Sequence, residues 1–246
     1  MLEIVKAGNY RITAEQLQIR ADGETVLSLQ GNCDISVIAN TKTKIHVVNE
    51  GAEKLRITAE VTGNLLLTLA SFSAADLAFE LKANLWENGA RIKVVTASIS
   101  AYTSAFSYYV DHHNNHTFSE IDSYGVCLSD CDYSCQLSCK INPGCKDSEA
   151  YQNTRVLTAG SIKKIKVLPI LEMAENMIKA KHACSIGRLA EEQQYYLASF
   201  GLDELQVTKL IAKGYLSNIL QEIETRDLKE KLQEQIEGKV NELCLM

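Results

Sequence analysis

Residues 26–69, VLSLQGNCDISVIANTKTKIHVVNEGAEKLRITAEVTGNLLLTL, decide how the chain folds. They contain the short apolar runs Val26-Leu27-Ser28-Leu29, Ile35-Ser36-Val37-Ile38, Ile45-His46-Val47-Val48, Leu55-Arg56-Ile57 and Leu65-Leu66-Leu67-Thr68-Leu69. Polar or glycine breaks separate them at Gly31-Asn32, Asn49-Glu50-Gly51 and Gly63-Asn64. Short runs rich in β-branched residues and bounded by such breaks read as strands. The pattern continues at Ile92-Lys93-Val94-Val95 and holds to about residue 168. Strand starts recur about every ten residues, a spacing that a sandwich, a barrel or a β-solenoid would each give. The breaks rarely carry the Asn-Gly or Asp-Gly pairs of tight hairpins. A parallel β-helix needs no hairpins, because it turns corners and stacks rung on rung. That weights the reading towards a solenoid, although no exact repeat period is visible.

Working outward, the 246 residues suit one large domain, or one domain with a helical appendage. A net charge of −6 argues against nucleic-acid binding as the main role, since that leaves a basic footprint. No run of about 18 apolar residues exists, so no membrane-spanning helix is expected. The opening MLEIVKAGNYRITAEQ lacks the basic and apolar regions of a secretory signal. The expected location is therefore the cytosol, with the eight cysteines reduced.

The pattern changes near residue 190. Leu205, Leu210, Ile211, Tyr215, Leu216, Ile219 and Leu220 follow helical spacing, and Leu228, Leu232, Ile236, Val240 and Leu243 make a second stripe. Asp203 is a candidate N-cap for the first helix and Thr225 for the second. The ordinary use of both stripes is packing onto the rest of the chain. The expected division is a β-helix core over 1–188 and a helical subdomain over 189–246.

Three groups of residues have ligand chemistry. His112, His113 and His116 lie within five positions, and histidine is a common metal ligand. On an extended segment His112 and His116 would be about 13 Å apart, too far for one ion, so solvated loop histidines explain them at least as well. Cys127, Cys131, Cys135, Cys139 and Cys145 form the second group. Their steps of four put side chains on one face, again about 13 Å apart along a strand. In a β-helix Cys127 and Cys145 could instead stack on successive rungs. Free cysteine also packs as a small hydrophobe, and without a CxxC the core role ranks slightly ahead of metal binding. The third group is His182 and Cys184. No P-loop, GxSxG or HExxH occurs, so nothing suggests a self-contained ATPase or hydrolase.

The stretch from Pro169 to Leu220 resembles the C-terminal signature of the SufB/SufD family of iron–sulfur cluster assembly scaffolds. Pro169, Ile178, His182, Ala183, Ile186, Gly187, Leu189, Glu191, Glu192, Tyr195, Tyr196, Leu197, Ser199, Gly201, Leu202, Gly214 and Tyr215 match its pattern. Upstream, His112, His113, His116, Thr117, Ser119, Tyr124, Gln152, Asn153 and Leu157 also resemble family positions. The resemblance implies a right-handed parallel β-helix followed by a helical subdomain. It further implies pairing through the β-helix with a SufB-like chain or a second copy, and docking of a SufC-like ATPase on the C-terminal helices. A transient iron–sulfur cluster or iron would sit near the pairing interface. His182 would be a ligand and Cys184 a possible helper, with Tyr195, Tyr196, Leu210, Tyr215 and Leu216 as ATPase-facing candidates.

The sequence departs from the pattern in several places. The functional cysteine of SufB would fall near Lys163, so the chain is more SufD-like and shortened. Ala183 replaces a glycine and Phe200 an arginine. The leading expectation is a non-catalytic scaffold subunit that binds neither nucleotide nor nucleic acid nor membrane. The alternatives are an ATPase-recruiting module that holds no cluster, and a β-helix enzyme of the polysaccharide-lyase kind. The single Trp86 and the absence of a signal count against the last.

Overall fold

A computed structural model describes residues 2–72, 75–128, 130–159, 164–188 and 191–242. The first strands are β1 (Leu2–Ile4), β2 (Gly8–Ile12), β3 (Gln16–Ile19), β4 (Gly23–Leu29), β5 (Cys33–Ala39) and β6 (Lys42–Asn49). The middle of the chain forms β7 (Lys54–Val61), β8 (Asn64–Ser71), β9 (Leu77–Leu85), β10 (Arg91–Ser100) and β11 (Thr103–His112). The last five are β12 (Phe118–Cys127), β13 (Asp132–Ile141), β14 (Ser148–Thr158), β15 (Lys164–Met173) and β16 (Ile178–Gly187). Odd-numbered strands form one eight-stranded sheet and even-numbered strands another, each in sequence order. Every pairing between successive strands of a sheet is parallel. This is the expected parallel β-helix: the chain crosses from sheet to sheet at corners and climbs one rung per coil. The apolar runs of residues 26–69 are β4 to β8.

The coil lengthens as it climbs. Register partners Gln16 and Asp34 are 18 residues apart, whereas Gln136 and Leu168 are 32 apart. Strands grow in step, from three residues in β1 to eleven in β14. That drift is why no fixed repeat period can be seen in the sequence.

Alternation sends every second side chain inward. Leu17, Ile35, Ile57, Leu81, Tyr108, Leu137 and Pro169 stack in register as one interior column. The early rungs are filled mostly with Leu, Ile and Val. The wider later rungs hold Phe79, Phe106, Tyr108 and Tyr133, which meet at centroid distances of 5.5–6.2 Å. Buried Thr96, Ser98, His112, Ser119, Ser123, Gln152 and Thr154 make these rungs more polar. Pro169 lies on β15, a sheet-edge strand, where a missing N–H costs the ladder least.

Three α-helices follow: α1 (Glu191–Ala198), α2 (Glu204–Leu216) and α3 (Arg226–Glu242), with a 3₁₀ turn over Ser217–Glu222. The last two residues of the first helical stripe, Ile219 and Leu220, lie in that 3₁₀ turn. Asp203 caps α2 through a complete capping box with Gln206, at 2.8 and 2.9 Å. Ala212, Leu216, Ile219, Leu228, Leu232 and Ile236 cover the outer face of the even-numbered sheet, against Val48, Ala70, Val95, Ala97 and Val126. Most of both stripes thus packs onto the β-helix, while Leu205 and Leu210 stay exposed; Leu243 lies outside the described residues. Thr225 does not cap α3 with its side chain. Its hydroxyl donates instead to Glu24, whose other oxygen lies 3.0 Å from Nε2 of buried His46. Lys44–Glu224, just ahead of α3, and Lys231–Glu50, within it, tie this part of the chain to the early rungs, at 2.6 and 3.1 Å.

Candidate functional site at the open end of the β-helix

The β-helix ends at β15 and β16, which have no neighbour on their far sides. On β14 the residues Ser148, Ala150, Gln152 and Thr154 point inward and are buried. Parallel register carries that face onto β16: Gln152 pairs with His182 and Thr154 with Cys184. His182 and Cys184 therefore share the inward face of the last rung, and both are exposed because no further rung covers them. Sequence spacing brought these two together, and the fold places them at the mouth of the β-helix interior.

A polar column leads up to them. Thr96, Ser123, Thr154 and Cys184 occupy one register line. The Tyr108 hydroxyl lies 2.8 Å from Thr96, whose hydroxyl donates to Ser123 at 3.1 Å. From the opposite sheet Cys135 reaches Ser123 at 3.9 Å. Burial holds the Cys135 thiol up at about 12, with Cys184 close enough to add to the shift. Burial also raises the Cys184 thiol. Beneath the open end, Gln152 Oε1 is buried without a hydrogen-bond partner, and the Thr154 and Tyr133 hydroxyls are buried beside the Cys135 thiol. Such orphans are uncommon and mark places where a ligand, a partner or a function completes the set. Soft thiol and imidazole ligands above uncharged polar groups fit iron or a nascent iron–sulfur cluster as cargo.

The other cysteines lie elsewhere. Cys127 and Cys145 do not stack. Cys127 pairs in register with Ser100 and Thr158, while Cys145 follows β13 at the opposite corner and donates to the His112 carbonyl at 3.3 Å. The cause is coil length: a coil here takes about 30 residues rather than 18. Cys127 and Cys131 are free thiols that share a side-chain hydrogen bond, which holds Cys127 up and Cys131 down. Cys139 lies 3.6 Å from Ser119, and burial raises it to about 12. All five are buried. Among the described residues no three His, Cys, Asp or Glu side chains are grouped to hold a metal.

The histidine trio is likewise dispersed, and His112 is not a solvated loop residue. It is fully buried, with Nδ1 2.7 Å from Thr117 and Nε2 2.9 Å from Ser119. His113 stacks on Trp86 at 4.0 Å, and His116 turns a corner with φ of 55°. The position near Lys163 lies outside the described residues.

The proposed docking residues divide in two. Helix α1 buries none of its side chains; Tyr195 is 81% and Tyr196 63% exposed. Leu210 is also exposed, at 50%. Leu216, by contrast, is fully buried and Tyr215 packs against the same helix–sheet core, so these two hold α2 down instead of facing outward. Between α1 and the end of the even-numbered sheet lies a crevice of about 740 Å³, lined by Arg155, Ile186, Tyr196, Leu197 and Tyr215 among others.

Sequence reasoning placed Gln152 only as a motif position and did not join Cys135 to Cys184. Both facts depend on register between distant strands.

Comparison with known proteins agrees with this architecture. Residues 12–215 match the family model described as SUF system FeS cluster assembly, SufBD core domain. The chain is 34% identical over 101 residues to the iron-sulfur cluster assembly protein SufD of Bacillus subtilis, covering 41% of this chain and 23% of that protein. A SufBD family protein of Mycobacterium leprae is 29% identical over 93 residues, covering 37% of this chain and 24% of the relative. One from Mycobacterium tuberculosis is 34% identical over 83 residues, covering 33% and 20%. The matched regions thus span about a quarter or less of these relatives. The family model covers most of the described β-helix and runs on into α2, and on that ground the chain belongs to the SufB/SufD family of iron–sulfur cluster assembly proteins.

Proposed function

We propose that this chain is a non-catalytic scaffold subunit for iron–sulfur cluster assembly, working in the cytosol. The observation that carries the reading is the open end: His182 and Cys184 face inward on the last rung, above buried polar groups that include the unpartnered Gln152 carbonyl. Two soft ligands do not complete a cluster site, because a cluster needs about four. A second subunit docking on β15 and β16 would bring the remainder, and it would also cover Ile165, Val167, Leu171 and Met173, which are only partly buried. That partner is a SufB-like chain or a second copy of this one. A SufC-like ATPase docks on the exposed face of α1, including Tyr195 and Tyr196, and on Leu210. Energy from ATP enters through that partner, since the chain carries no P-loop.

Anaerobic reconstitution with iron and sulfide, wild type against His182→Ala in the presence of the pairing subunit, tests the reading. His182→Ala should retain markedly less iron and sulfide; equal content in both removes His182 from the site. The second reading, a module that recruits the ATPase and holds no cluster, draws on the lack of any three-ligand group among the described residues. ATPase co-purification with no metal retained after reconstitution of the paired complex would select it.

A further inference from the structure

We infer that Gln152 is the positioning residue for His182: its side-chain carbonyl accepts one imidazole N–H, which turns the other ring nitrogen towards the open end. The inference rests on the reading of His182 as a ligand. Gln152 and His182 are register partners on adjacent parallel strands and share the inward face, so their side chains are stacked neighbours about 4.8 Å apart at the backbone. The Gln152 amide is not free to turn. Its Nε2 donates to the Ile170 carbonyl of β15 at 3.2 Å, which directs Oε1 away from that strand. Oε1 is then a buried acceptor with no partner, on a residue only 3% exposed.

A buried acceptor needs a donor, and a histidine that ligates a metal donates its second ring N–H to an acceptor in nearly every case. The two requirements meet in one contact between register partners. An amide suits the task better than a carboxylate here. It fixes the tautomer without placing a charge inside the β-helix, where an unpaired charge would be costly.

The test uses the full chain, labelled with ¹⁵N-histidine and free of metal, and assigns the His182 signals by their loss in His182→Ala. Wild type should show one neutral His182 tautomer, and Gln152→Leu a mixture of both. Gln152→Asn, which draws the carbonyl back by one methylene, should show the same mixture and serves if the leucine variant does not fold. Ferrous iron, added anaerobically with the pairing subunit, should bind about 10–100-fold more weakly to the Gln152 variants. It should show no such loss in a His182→Ala background. An unchanged tautomer ratio in both Gln152 variants overturns the inference. If the tautomer follows Gln152 but His182→Ala binds iron as well as wild type, the contact stands and the ligand reading fails.

Discussion

Burial sorts the reactive side chains one residue at a time. Cys135 and Cys139 sit buried in the interior with thiols raised to about 12, so neither ionises at neutral pH. Cys184 is the exposed cysteine among the described residues. Brief alkylation of the native protein at pH 8 followed by peptide mass mapping should modify Cys184 and spare Cys127, Cys131, Cys135, Cys139 and Cys145. Fast labelling of Cys135 would mean that the interior is open to reagent. His112 gives a pH prediction. Burial lowers its pKa from 6.5 to about 4, so the unfolded chain binds the proton more readily than the folded one. Stability should therefore be complete above about pH 6.5 and fall as pH drops towards 4, by roughly 3 kcal/mol for this group. Burial lowers buried His46 too and adds in the same direction. Urea midpoints at pH 7 and 4.5 should differ less in His112→Gln than in wild type.

At the level of elements, α1 and α2 do different work: α1 buries none of its side chains, whereas α2 packs Ala212 and Leu216 onto the sheet. Leu216 is a core residue between α2 and the sheet, so Leu216→Ala should cost about 2–5 kcal/mol in urea unfolding. Tyr196 stands in solvent, edge-on to Phe200 at 5.1 Å. Tyr196→Ala should leave unfolding nearly unchanged while weakening capture of the ATPase in a pull-down. The reverse pattern would exchange their roles. Asp203 lies between the two helices, and Asp203→Ala should cost about 1 kcal/mol through loss of the capping box.

For the molecule as a whole, the last rung of the β-helix leaves one side of β15 and β16 without a neighbouring strand. Leu171 faces inward on β15 and is only partly covered. Leu171→Glu should therefore impair pairing, read as a lower sedimentation-equilibrium mass of the complex, more than it lowers the melting temperature. Unchanged pairing would place the interface elsewhere.

The sequence by itself determined that the chain is strand-rich, that its strands are short, that two helical stripes follow, and that His182 and Cys184 sit near their junction; the parallel β-helix was implied by the family resemblance. These features are local: alternation and helical period are written in consecutive residues, and the signature around Pro169–Leu220 is contiguous. Only the tertiary structure decided which residue lies above which. Stacking depends on corner lengths that grow from coil to coil, so an 18-residue guess put Cys145 over Cys127, whereas the true coil puts Thr158 there. The same register sets Gln152 beneath His182 and brings Cys135 from the opposite sheet close to Cys184. It also buries His112, which the sequence left as readily in a loop. Backbone pairing between strands about 30 residues apart carries no local signal, and the open-end site is made by that pairing.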